Sequence, residues 1–137
     1  MDSKFFNIQG RIIKKDNIVL IEESGDELNK YKLKILLKGE FSIELIYENY
    51  DSIEYDLDIL KGINYIMVQE FSLDYQVIST CFINLDYLSA ISLSEITYED
   101  KKYINAYFLL TDCIEEPYPI ITKFKTIEEG VEYFGLS

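Results

Sequence analysis

Hydrophobic and polar residues alternate along two neighbouring segments, 31–37 and 41–47, in the pattern of β-strands that bury one face. A three-residue loop between them keeps the apolar positions of both strands on that face, whereas a two-residue loop would mix the faces. The sequence therefore predicts an antiparallel hairpin with a three-residue turn. Its predicted cross-strand pairs are Leu37 with Phe41, Ile35 with Ile43, Leu33 with Leu45, Tyr31 with Tyr47, Lys34 with Glu44 and Lys30 with Glu48.

Other apolar segments, rich in β-branched residues and bounded by turn residues, also predict strands. We expect an opening hairpin formed by 5–14 and 17–22, which turns at Asp16-Asn17. The remaining predicted strands are 63–71, 76–85, 87–93, 103–111 and 119–124, with breaks at Asp74 and Asp86 and a loop that holds Pro117 and Pro119.

One helix is predicted near the C-terminus. Thr126 is suited to cap it, Glu128 and Glu129 favour its first turn, and Gly135 would end it, although Gly130 weakens the helical pattern. Its apolar face would consist of Ile127, Val131 and Phe134.

The segment 51–61 fits two patterns. As a helix it would be capped by Asp51 and would bury Ile53, Leu57 and Leu60. As a strand it would alternate apolar and acidic residues and turn at Lys61 into the next strand. We favour the strand. The fold class predicted from these elements is mostly β (α+β): an antiparallel, strongly bent sheet, sandwich or partly open barrel with one C-terminal helix.

The chain shows no linker and no repeat of fixed period, so we expect residues 1–137 to form a single acidic β-rich domain. No signal peptide, membrane span or polybasic cluster is visible, which favours a cytoplasmic protein. In that compartment Cys81 and Cys113 are expected to be free thiols.

Histidine is absent, which excludes Ser-His and Cys-His nucleophile pairs and imidazole metal sites. A carboxylate pair suited to glycoside hydrolysis would arise by chance among 25 acidic residues, so it carries little weight. The loop at 22–27 offers four carboxylates but lacks the ligand spacing of an EF-hand. We therefore predict no enzyme activity, no metal and no cofactor.

Acidic residues are concentrated in the middle of the chain. The net charge is −12, yet residues 39–100 hold thirteen acids and a single base, Lys61, while the remainder holds twelve of each. Solubility alone could account for an acidic protein, but like charges on neighbouring strands repel and would then be mixed with bases. The segregation favours a surface that attracts a basic partner.

Tyrosine, which is common at binding hot spots, is also frequent in this segment. Tyr50 and Tyr55 stand beside the carboxylates of Glu54, Asp56 and Asp58, which would form a row at about 6.5–7 Å spacing along a strand. The predicted partner-binding residues are Glu44, Glu48, Tyr50, Asp51, Glu54, Tyr55, Asp56 and Asp58.

These features favour a non-enzymatic acidic protein-binding inhibitor. Its basic partner would be a nuclease toxin, as for an immunity protein, or a nucleic-acid-binding defence effector, as for a phage-type inhibitor that mimics nucleic acid. Nucleic acid itself is not an expected ligand, because its phosphates would be repelled. The alternatives are a small-ligand-binding β-barrel or sandwich, with a cavity lined by 76–85 and 103–111, and a subunit of a larger assembly such as a phage structural component.

Overall fold

The computed structural model describes residues 4–25, 31–39, 41–74, 76–111 and 118–135. The described elements, in chain order, are β1 (Phe5–Ile8), β2 (Arg11–Lys14), β3 (Ile18–Gly25), β4 (Tyr31–Leu37), β5 (Phe41–Tyr47), α1 (Tyr50–Leu60), β6 (Tyr65–Phe71), β7 (Val77–Asn84), β8 (Leu88–Tyr98), β9 (Lys101–Leu110), β10 (Tyr118–Ile121) and α2 (Ile127–Tyr133). They form a five-stranded sheet in the order β5-β4-β3-β7-β6, a three-stranded sheet β10-β9-β8 and a hairpin β1-β2. All of these pairings are antiparallel, so the mostly β prediction is confirmed.

The hairpin β4-β5 has the predicted register, with Leu37 opposite Phe41 at one end and Tyr31 opposite Tyr47 at the other. Its three-residue turn contains Gly39 at φ +88°, a conformation that residues with a Cβ rarely adopt. The pairing of Lys30 with Glu48 lies outside the described residues.

The five-stranded sheet is covered on both faces, and the hydrophobic core is accordingly divided into two clusters. The start of β3, from Ile18 to Ile21, is buried without interruption because Ile18 and Ile21 enter one cluster and Val19 and Leu20 the other. One cluster contains α1 and the hairpin β1-β2, and the other contains the three-stranded sheet. The domain is thus a stack of three layers with the long sheet in the middle.

The opening hairpin is shorter than predicted. Its two strands, β1 and β2, turn at Gln9-Gly10 and, among the described residues, pair with each other and with no third strand. Asp16-Asn17 form part of a 3-10 turn. The chain therefore turns at Asp16-Asn17 as predicted, but the predicted hairpin of 5–14 with 17–22 is wrong, because β3 pairs with β4 and β7 instead.

The strand favoured for 51–61 is also wrong, because the segment forms the helix α1. Its cap is Asn49, whose side-chain Oδ1 accepts a hydrogen bond from the Ser52 N–H at 2.9 Å, rather than Asp51. Ile53, Leu57 and Leu60 lie on one helical face and are buried against the sheet. The segment forms a helix rather than a strand because the helix covers the apolar face of the sheet with its own apolar side.

The other predicted elements agree with the structure apart from their ends. The α2 helix begins after Thr126, whose hydroxyl accepts the Glu129 N–H at 3.2 Å, and Gly135 follows it at φ +67°. The strand predicted over 87–93 continues to Tyr98, and the one predicted over 119–124 is β10, with Pro119 inside it. Pro117 lies outside the described residues.

The order of elements occurs twice along the chain although the sequence has no repeat of fixed period. A hairpin, a 3-10 turn, a three-stranded meander and a helix make up β1 to α1 and again β6 to α2. Each meander begins with the same irregularity, one unpaired residue after Ile18 in β3 and after Leu88 in β8. Equivalent main-chain hydrogen bonds hold the two 3-10 turns in place. In the first unit, the Lys15 N–H donates to the Lys4 carbonyl and the Lys38 N–H donates to the Asn17 carbonyl. In the second unit, the Leu85 N–H donates to the Asn64 carbonyl and the Thr111 N–H donates to the Tyr87 carbonyl.

Candidate protein-binding face

The helix α1 turns its acidic side away from the core. Asp51, Glu54, Tyr55 and Asp58 are exposed and recur at the three- and four-residue spacing of a single helical face. Neighbouring side chains at this spacing have Cβ atoms about 5–6 Å apart. The helix contains no basic residue, so its outer face presents carboxylates and one tyrosine ring.

A fourth carboxylate reaches this surface from the central sheet. Glu23, on β3, lies close enough to Glu54 and to Lys61 for both to influence its pKa, which is raised mainly by partial burial and further by Glu54, while Lys61 lowers it. In sequence Glu23 belongs to the N-terminal part, where bases outnumber acids, so the count over 39–100 misses it. The pairing of β3 with β4 and β7 brings it beneath α1.

Tyr50 lies where these carboxylates converge. Its pKa is raised first by Glu54, then by Glu23, and to a smaller extent by Asp58. Its half-exposed ring packs edge-on against Tyr31 of β4, with ring centroids 5.9 Å apart. We call the surface formed by Glu23, Tyr50, Asp51, Glu54, Tyr55 and Asp58 the acidic face.

The negative charge of the acidic face is poorly neutralised. None of its four carboxylates has an ion-pair partner in the part of the chain that the structure describes. Lys61, the base that lowers the pKa of Glu23, has its ammonium 5.3 Å from the centre of the Phe82 ring, where it makes a cation–π contact. The uncompensated carboxylates are the property of this surface that would attract a cationic partner.

Asp56 is not on this surface. It is only 9% exposed, and its Oδ2 accepts a hydrogen bond of 2.7 Å from the buried Tyr47 hydroxyl. Burial and the adjacent Asp56 carboxylate raise the pKa of Tyr47. The predicted row of Glu54, Asp56 and Asp58 is therefore wrong, since the helix turns Asp56 inward and leaves the other two outside.

The two predicted residues before the helix lie elsewhere. Glu44 is on the face of β5 opposite to Leu45 and Tyr47, which pack with α1, and it pairs with Lys32 at 3.2 Å. Glu48 is exposed in the short link between β5 and the helix cap Asn49. Five of the eight predicted residues thus gather on the acidic face, and Glu44, Glu48 and Asp56 do not belong to it.

The remaining acids of the middle segment are dispersed. Glu70 accepts a hydrogen bond from Ser79 on the opposite face of the sheet, and Glu95 pairs with Lys102 at 3.5 Å. Glu99 and Asp100 form the turn between β8 and β9, both with positive φ. In the described residues, no group of three or more acidic or cysteine side chains is arranged to hold a metal ion.

A shallow, open depression of about 380 Å³ borders the acidic face. It lies between the β1-β2 turn and α1 and is lined by Gln9, Tyr47, Asp51, Ser52, Tyr55 and Asp56. Its openness suits a protruding side chain of another protein better than an enclosed small molecule.

Comparison of the chain with protein-family models, with curated proteins and with solved structures finds no match. Within the described residues, no helix combines the length and the apolar character needed to span a bilayer.

Proposed function

We propose that the protein is a non-enzymatic inhibitor that binds a basic partner through the acidic face. The partner would be a nuclease toxin or a nucleic-acid-binding defence effector, whose phosphate-binding lysines and arginines the carboxylates would occupy. The observation that carries this proposal is the set of four carboxylates, without ion-pair partners among the described residues, around two exposed tyrosines on and beside α1.

The physical mechanism has two parts. The carboxylates would steer the basic partner, since a single-sign surface raises association rates about ten- to a thousandfold at low salt. Tyr50 and Tyr55 would then be buried as anchors, because an aromatic ring with a hydroxyl supplies contact area at little entropic cost. Access of nucleic acid to the partner would be blocked by occupancy of its phosphate-binding groups.

Paired charge-reversal variants test the proposal. In the test variant, Glu54→Lys is combined with Asp58→Lys. The matched control combines Glu128→Lys with Glu132→Lys, which have the same four-residue spacing on α2 and are also exposed. Immobilised full-length wild type and both variants are offered the soluble proteins of the source cell, and captured proteins are identified by mass spectrometry.

The expected result is a basic, nucleic-acid-binding protein that wild type and control retain and the test variant loses. With that protein purified, its nucleic-acid binding or cleavage should be inhibited by wild type. Reversal on α1 should lower the association rate by about tenfold or more and change the dissociation rate less. The proposal would be contradicted if the association rate changed neither with salt concentration nor with the charge reversals at Glu54 and Asp58.

The two alternative interpretations, a small-ligand carrier and an assembly subunit, stay predictions. A cavity of about 40 Å³ between β6 and α2, lined in part by Val68, Phe124 and Tyr133, has room for no more than a few water molecules.

A further inference from the structure

The outer edge of β5 is a second feature suited to a partner. β5 ends the five-stranded sheet and pairs with β4 along all seven of its residues, without a bulge. Within the described residues no strand lies on its other side, so every second residue of β5 directs its N–H and C=O outward. The edge also carries two apolar side chains in water, Phe41 at 69% and Ile46 at 64% exposure.

The other edges of the two larger sheets each carry an irregularity, a proline or a side-chain contact. β6, at the opposite end of the same sheet, has a register shift after Glu70, and the Tyr133 hydroxyl donates to its Met67 carbonyl at 2.5 Å. In the three-stranded sheet, β8 has its bulge after Leu88, and β10 is short and contains Pro119. Bulges, prolines and short length are among the usual devices that prevent strand addition; β5 has none of these three, and its one charged residue, Glu44, is paired with Lys32.

The charge around β5 indicates which kind of strand it would accept. Glu48 lies immediately after the strand, and α1, which carries most of the acidic face, packs against β5. A second copy of the chain fits poorly, because each copy carries a net charge of −12. In the antiparallel register that would use the whole strand, Glu44 would also lie opposite its own copy.

We propose that β5 accepts an extended segment of the basic partner as a sixth strand of the sheet, with lysine or arginine side chains directed toward the acidic face. This inference rests on the proposed function, since it assumes the same partner. Main-chain hydrogen bonds would supply affinity and the carboxylates beside the strand would select for cationic side chains. Phe41 and Ile46 would lose their exposure to water.

Two synthetic octapeptides with equal charge test the strand pairing on the full chain. One alternates lysine with valine and can form a strand; the other alternates lysine with proline and cannot donate to a sheet edge. Wild type should bind the lysine–valine peptide at least about tenfold more tightly, because only this peptide adds main-chain hydrogen bonds. Hydrogen exchange at residues 41–47 should slow on binding, and exchange in β8 should not change.

The peptide experiment distinguishes a failure of strand addition from a failure of the proposed function. The variant with Glu54→Lys and Asp58→Lys should bind both peptides more weakly and keep the ratio between them. Equal affinity of wild type for the two peptides, or unchanged exchange over 41–47, would overturn strand addition even if the charge reversals still weaken binding. If wild type sediments as a dimer and residues 41–47 are already protected from hydrogen exchange without peptide, a second copy of the chain occupies the edge and the proposed partner strand is ruled out.

Discussion

The buried contact between Tyr47 and Asp56 allows the corrected position of Asp56 to be tested. Tyr47→Phe removes the hydroxyl that donates to Asp56 Oδ2 at 2.7 Å, in a site where both residues are almost fully buried. Hydrogen bonds to charged groups contribute about 1.5–3 kcal/mol, so we expect the free energy of unfolding to fall by about 2 kcal/mol. In a domain of this size that loss lowers Tm by about 6 °C.

Urea unfolding at neutral pH measures this change. The matched control is Tyr55→Phe, which removes the same atom from an exposed ring and should alter the unfolding free energy by less than about 0.5 kcal/mol. If Tyr47→Phe is as stable as the control, Asp56 does not depend on this bond and the reasoning is refuted. Asp56→Asn should likewise lower stability while leaving the association rate with a basic partner nearly unchanged, whereas Asp58→Asn should do the reverse.

Three further changes probe other parts of the fold. Asn49→Ala should cost about 1 kcal/mol in urea unfolding through loss of the α1 cap, whereas Asp51→Ala should cost less than half of that. Leu60→Ala, at a fully buried position, should cost about 2–5 kcal/mol by the same measurement, and a value near zero would mean that α1 does not pack as described. Burial and the nearby Glu22 raise the pKa of Glu70, so its stabilising contribution is complete at acidic pH and is lost as pH rises. Glu70→Gln should therefore raise Tm at neutral pH and give no gain near pH 4.

The elements that could be predicted from the sequence are those whose signals are local. In β4-β5 the alternation and the glycine-containing turn agree, and in α2 the cap at Thr126 and the stop at Gly135 agree. In α1 the local signals conflict, because Tyr55 and Ile59 complete an alternation of apolar and polar residues that suggests a strand, although the spacing of Ile53, Leu57 and Leu60 suggests a helix. The choice there depends on a distant sheet face that has to be covered, and a single sequence does not display that requirement.

Only part of the candidate site could be predicted from the sequence, for a similar reason. Carboxylates close together in sequence, such as Asp51 and Glu54, were found because they are neighbours on the same element. Glu23 reaches the acidic face through strand pairing across the sheet, and Asp56 leaves it through the rotation of the helix. Charge counting along the chain locates an acidic segment, but helical periodicity and sheet topology decide which of its members share a surface.

The repeated order of elements allows the two acidic helices to be compared as candidate partner-binding surfaces. α1 and α2 occupy equivalent places after their meanders, and each exposes carboxylates at four-residue spacing. In the second unit Tyr133 of α2 binds the main chain of the edge strand β6, so that helix serves to close the sheet. In the first unit α1 packs against β4 and β5, and within the described residues no strand covers the outer edge of β5. Within the described residues, the first unit thus has an unpaired edge strand beside carboxylates without ion-pair partners, and a strand-bearing basic partner would satisfy both at once.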